Sequence, residues 1–183
     1  MAATVNIYEL NGVPPGTPTG KTSGTVRFKN ADDAAVDLGN PLVVPTSLTE
    51  FSYQKYLRLR IDGGGFTQIS NLRAYSDGAS GFGAGVKVWY WTTGGYAQPE
   101  EPPSSVDPPH YPATGSPQTA AGDLFTRTAG APIDLDAINA GPFANGSPAE
   151  WIGDFLVLVM EIETTASQGI LPAETLTFAY DEI

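Results

Sequence analysis

Strict alternation in one stretch sets the first limit on how this chain can fold. From Lys55 onward, Leu57, Leu59 and Ile61 take every second place, and Tyr56, Arg58 and Arg60 fill the places between. Successive side chains leave opposite faces of a pleated backbone, so a period of two over this length predicts a half-buried strand. The glycine run Gly63–Gly65 breaks the pattern, and a second apolar segment follows with Phe66, Ile69, Leu72 and Tyr75. Two strands joined by a glycine turn predict a hairpin over Tyr53–Asp77, the core of a sheet. Arg58, Arg60 and Arg73 take its outward positions. They are three of the nine basic residues and are expected to balance nearby acidic loops.

The same period recurs along the chain. Thr4–Leu10 reads as a strand with Val5 and Ile7 on one face and Tyr8 and Leu10 on the other. Gly24–Lys29 reads as another, with Val26 and Phe28 inward. In Val86–Trp91, Val86, Val88 and Tyr90 alternate with Lys87, Trp89 and Trp91. Phe155–Glu163 is apolar on both faces, Phe155, Val157 and Val159 against Leu156, Leu158, Met160 and Ile162, so it is expected to be central and covered on both sides. Glu161 and Glu163 are expected to mark where one face meets solvent. Glu174–Tyr180 supplies the last strand.

Between these segments lie turn and breaker residues. Asn11–Thr22, Asn30–Asn40 and Ser76–Gly85 read as loops, Pro41–Pro45 as an edge piece or crossover. Ala131–Ala140 has the residues for one helical turn or two. Thr92–Gly122 carries seven prolines and few apolar residues; such a long irregular stretch is either a solvated excursion or an arm that grips a partner. The 21 glycines and 16 prolines amount to a fifth of the 183 residues, below the roughly 25–30% of low-complexity chains. Roughly seven or eight strands with little helical periodicity predict an all-β fold. The expectation is a two-sheet antiparallel sandwich, jelly-roll or Ig-like, with a long Pro/Gly-rich loop and at most one short helix. Residues 1–183 are expected to form a single domain, with an N-terminal arm over about 1–24 and the long loop over about 92–150.

Twenty acidic residues against nine basic ones leave a net charge of −11. That balance opposes both phosphate backbones and anionic membrane surfaces, so neither a nucleic acid nor a membrane is an expected partner. It favours a basic protein partner instead. The chain has no cysteine, which removes disulfides, thiolate nucleophiles and cysteine-ligated metals. Its beginning lacks the features of a secretory signal, and its longest apolar run, Phe155–Met160, is too short to span a membrane as a helix.

Individual residues carry little chemistry. His110 is the only histidine and therefore the only ordinary general base near neutrality, but it sits among prolines, a poor mount for a catalytic triad. Asp134, Asp136 and Asn139 alternate like calcium ligands, yet the glycine and glutamate an EF-hand needs are replaced by Asn139 and Asn145. Gly63–Gly65 and the glycines at 81, 83 and 85 lack the following helix and Lys-Ser or Lys-Thr of phosphate loops. No enzyme activity, cofactor or metal is expected. Trp89, Tyr90, Trp91 and Tyr96 are read either as a sugar-stacking platform or as a sheet face covered by the long loop or a neighbouring subunit.

The order of the strand phrases Lys55–Ile61, Ile69–Gly78, Gly85–Thr93 and Glu174–Glu182 resembles the small β-sandwich structural proteins of tailed bacteriophages. The likeness covers roughly 53–91 and 152–182. It implies a virion component of the capsid decoration or minor capsid type, made in the host cytoplasm and carried on the capsid surface. Its implied partners are the major capsid protein and further copies of itself, as dimer or trimer. The expected contacts are the long loop and the segment before Thr25, with His110, Tyr111, Tyr96, Trp89 and Trp91 as candidate partner-contact residues. The alternative is a carbohydrate- or receptor-binding module of a phage tail or fibre.

Overall fold

The computed structural model describes residues 2–79, 81–102, 121–145 and 150–183, with the backbone alone of 110–113 and 116–119. It is an all-β, two-sheet antiparallel sandwich. The larger sheet is built from β1 (Ala3–Asn11), β2 (Thr17–Gly20), β3 (Thr49–Phe51), β4 (Lys55–Gly64), β6 (Val86–Thr93), β9 (Gly122–Asp123) and β12 (Glu150–Glu163). Its order is β2-β1-β4-β12-β6-β9, with β3 continuing the β4 side of β12. The smaller sheet has β5 (Gln68–Ser76) at its centre. β13 (Leu176–Glu182) lies on one side of β5, and β10 (Ile133–Asp134) and β11 (Phe143–Ala144) share the other. Among the described residues, β7 (His110–Ala113) and β8 (Ser116–Thr119) pair with each other in a two-stranded sheet of their own. A single 3-10 turn, Leu124–Thr126, is the one helical element among the described residues.

The period-two faces are as the residues demand. Val5, Ile7, Leu57, Leu59, Leu156 and Leu158 point between the sheets, where the smaller sheet contributes Ile69, Leu72 and Ala74. Tyr8, Leu10, Tyr56, Trp91, Val157 and Val159 form a second cluster on the outer face of the larger sheet. β12 is therefore buried on both faces, from Ile152 to Ile162. Glu161 is a correction: it is fully buried, bonded by the Trp89 indole N–H and 3.9 Å from the Lys87 ammonium, instead of meeting solvent.

The expected hairpin over Tyr53–Asp77 does not form. Both edges of β4 are taken, by β1 and β12, so β5 has no edge there to join and crosses to the other sheet. The glycine run makes that crossing. Gly64 has φ 106°, and a Cβ on it would stand 2.4 Å from the Ala2 carbonyl oxygen, so only glycine lets β1 pass this closely.

Four further expectations change. Gly24–Lys29 joins no ladder, although Val26 and Phe28 do face the core. The expected loop Asn11–Thr22 contains β2, so residues 3–20 of the expected arm form a hairpin built into the larger sheet. Ala131–Ala140 holds β10 and bends but no helix. Among its described residues, the stretch 92–150 contains five short strands, β7 to β11.

Candidate functional site

A four-stranded sheet cannot cover a seven-stranded one. β13 is the edge of the smaller sheet, and beyond it the inner face of the larger sheet is left to irregular chain. There lies a cleft of about 610 Å³. Its floor is Leu57, Val88, Leu158 and Met160 of the larger sheet, and no residue of β5 lines it. Leu176 and Phe178 of β13 line one wall, and Gly24–Phe28 lines another, with Val26 and Phe28 turned inward. A second cleft of about 250 Å³ shares Leu171 with the first and runs between Leu42–Val44 and Val86, Ile162 and Ala166.

Exposed apolar side chains gather along the same parts of the chain. Residues 21–48 form no strand, yet they carry Val36, Leu38, Val43 and Leu48, four of the eight exposed large apolar residues described. Ile170, beside Leu171, is fully exposed. A strand-free segment of this length in a compact domain is uncommon unless it has a task.

The first half of this segment, as far as Ala35, is pinned from beneath by buried charge. Lys21, Lys29 and Lys55 are three of the four lysines, and all are buried. Glu9, fully buried on β1, lies 3.1 Å from the Lys21 ammonium and 3.3 Å from that of Lys55. Lys21 donates to the carbonyls of Thr25 and Ala34, Lys55 to that of Asp33, and Lys29 to that of Ala35 and to the Asp33 carboxylate. Asp32 adds bonds to the Asn11 side chain and the Gly12 N–H. Burial pushes the Lys55 ammonium below its ordinary value, with Glu9 pulling the other way. An ion cluster this dry holds its geometry strictly, because each partner removed strands a charge. The sequence reading missed it, since lysines in an acidic chain read as solvated. The available signal was Glu9 itself, a carboxylate between Tyr8 and Leu10 in an apolar strand.

The aromatic candidates lie elsewhere, on the outer face of the larger sheet. Trp91 is only 4% exposed, which leaves no ring face for a sugar. Trp89 is half-buried, its N–H engaged by Glu161. Tyr96 packs edge-on against Tyr56 at 5.1 Å, and its hydroxyl donates to the Gly12 carbonyl at 2.6 Å. Burial pushes the Tyr56 phenol up to about 12. The chain after β6 folds back over this face, held by paired bonds between Gln54 and Glu100. His110 and Tyr111 open β7, but their side chains fall outside the described residues. The structure thus brings Trp89, Trp91 and Tyr96 into one cluster.

The acidic turn at 134–139 is taken up by the fold. Asp134 accepts from the Asp136 N–H, Asp136 from the Leu72 N–H, and the Asn139 amide donates to the carbonyls of Gly94 and Gly153. Among the described residues, no group of three or more His, Cys, Asp or Glu could hold a metal ion. No helix among them is long and apolar enough to cross a membrane. No protein-family model, no curated protein and no solved structure matches the chain.

Proposed function

We propose that this chain is a structural virion protein that binds the outside of a bacteriophage capsid and stabilises the shell. One observation carries a docking role. Two adjoining clefts with apolar floors and mixed walls, with Val43 and Ile170 exposed beside them, lie on one side of a sandwich whose net charge is −11. Apolar surface concentrated in this way is characteristic of protein interaction sites. The buried lysine cluster supports the reading further, because a pinned surface loses less conformational freedom when it docks. The capsid as partner comes from the likeness of the strand phrases, and the acidic exterior suits a basic receiving surface. A standard interface removes about 800 Å² from each partner, and repetition over a symmetric shell multiplies modest contacts through avidity.

Co-sedimentation with capsids assembled without the protein is the direct test. The wild-type chain is expected to pellet with the shells and raise their heat resistance. A Val43→Asp/Ile170→Asp variant, folded by circular dichroism, is expected to stay in the supernatant. A wild-type protein that fails to pellet, or leaves heat resistance unchanged, sinks the proposal. Light scattering on the eluting protein separates a monomer from the dimer or trimer such a role accommodates.

A further inference from the structure

The larger cleft has two features that apolar burial alone leaves unexplained. Its β13 wall is a free sheet edge: β13 pairs with β5 on one side, and among the described residues no backbone group pairs with it on the other. Another wall, Val26–Phe28, also makes no backbone hydrogen bond among the described residues. There Val26 and Phe28 are half-buried while Thr25 and Arg27 are exposed, the spacing of an extended chain. Two unpaired lengths of backbone therefore line one trough whose floor is apolar.

The geometry points to a strand-accepting groove. Its occupant is an extended segment of a different protein, with large apolar side chains at alternate positions and basic residues flanking them. Laid between Val26–Phe28 and β13, such a segment gives unpaired backbone a partner and sends every second side chain to the floor of Leu57, Leu158 and Met160. The volume agrees. About 610 Å³ is roughly four times the ~150 Å³ cavity that truncating one buried leucine leaves, which suits several apolar side chains. A fatty-acyl chain would fill the space but leave both lengths of backbone unpaired. The chain's own Val26–Phe28 segment is held in place by Lys21 on the Thr25 carbonyl and Lys29 on that of Ala35. A second copy carries the same −11 charge, whereas basic flanks that reach beyond Lys21 and Arg27 on the groove wall are drawn to the acidic chain as a whole.

This inference rests on the docking reading and names the form of the partner. The test uses the whole protein and a labelled peptide, Thr-Val-Thr-Leu-Thr-Val-Thr with Lys-Lys at each end. Two controls accompany it: an isomer with its apolar residues contiguous, and a version N-methylated at alternate backbone positions. Fluorescence anisotropy is expected to show saturable binding of the alternating peptide and binding about tenfold weaker or less for both controls. Hydrogen exchange is expected to slow at Val26–Phe28 and along β13 only when that peptide is present. Val26→Arg, checked for an unchanged melting profile, is expected to abolish the effect; Ala173→Trp, on an exposed part of the rim, is expected to weaken it. Equal binding of all the peptides, unchanged exchange at both walls, or the same protection produced by self-association without peptide would overturn the groove. The two readings fail separately. Capsid pelleting without peptide binding removes the groove and leaves docking, whereas peptide binding without capsid pelleting does the reverse.

Discussion

Arg60 shows how a single side chain on the outer face finds its place. Its guanidinium lies 4.0 Å from the Tyr8 ring centroid and 5.3 Å from that of Trp151, and its Nε donates to Asp62 at 2.6 Å. Asp62 also accepts from the Asn6 amide at 2.7 Å and the Tyr8 hydroxyl at 2.8 Å. Partial burial pushes this carboxyl up, but the bonds from Asn6, Arg60 and Tyr8 outweigh it and hold it below the ordinary aspartate value. A carboxyl depressed in the folded state adds stability that is fully present above its unfolded pKa of about 3.9 and is lost as pH falls through the folded one. Asp62→Asn is therefore expected to cost about 1–3 kcal/mol at neutral pH. Urea titrations should show the gap to wild type closing below about pH 4; a gap independent of pH would remove the charge from the account. That Arg60 meets an acidic neighbour was expected from the sequence, but from a loop; Asp62 instead lies two places on along β4 itself. The aromatic bed of Arg60 was not legible, because Tyr8 and Trp151 come from the strands on either side and only register brings them there.

At the scale of the element, irregularities in the strands do the joining. β5 bulges where Asn71 takes φ 54°, and its pairing with β13 slips by one residue there. That slip is why Ile69 and Leu72, three apart, both face the core, a spacing visible in the sequence but not explicable from it. β12 bulges more strongly between Ile152 and Leu156. Within that bulge the Asp154 carboxylate accepts from the N–H groups of Ile138 and Asn139, and the Gly153 carbonyl accepts from Arg58 at 2.9 Å. The larger sheet thus holds the turn after β10 of the smaller one. Gly153 has φ 64°, and a Cβ there would stand 2.5 Å from the Leu135 carbonyl oxygen and 2.7 Å from Leu72 Cδ2. Gly153→Ala is expected to cost about 2–4 kcal/mol, the sum of left-handed strain and a clash with backbone. Gly83→Ala has φ 83° but open space, and isolates the strain at about 1–2 kcal/mol. Equal losses in the two melting curves would show that the bulge does not clamp the sheets.

Across the whole molecule, the sequence separated faces better than it separated sheets. Periodicity reports which way a side chain points, so the two faces of β1, β6 and β12 were readable from Val5, Trp91 and Phe155 alone. Pairing depends on which edges are already occupied, and nothing local to Tyr53–Asp77 records that β1 and β12 flank β4. The open side was hidden for a related reason. Val26 and Phe28 alternate as a strand does, and the missing ladder follows from the narrowness of a sheet formed elsewhere. What keeps the first half of the strand-free segment in register is the buried charge beneath it, and that coupling can be read with a protease. Trypsin must draw a lysine or arginine and its neighbouring backbone into its own site, so buried Lys21, Lys29 and Lys55 should resist it while exposed Arg27 remains open to attack. Glu9→Ala strands Lys21 and Lys55 without their carboxylate. It should cost about 3–5 kcal/mol and open new cuts after Lys21 and Lys29 before the rest of the sandwich yields. Mass spectrometry of timed digests distinguishes the cases. Early cuts confined to 21–48 in the variant mean that the ion cluster holds the segment to the fold. Cuts appearing everywhere at once mean that it holds the whole sandwich, and wild-type cleavage after Lys21 or Lys29 at the rate of Arg27 means that it holds neither.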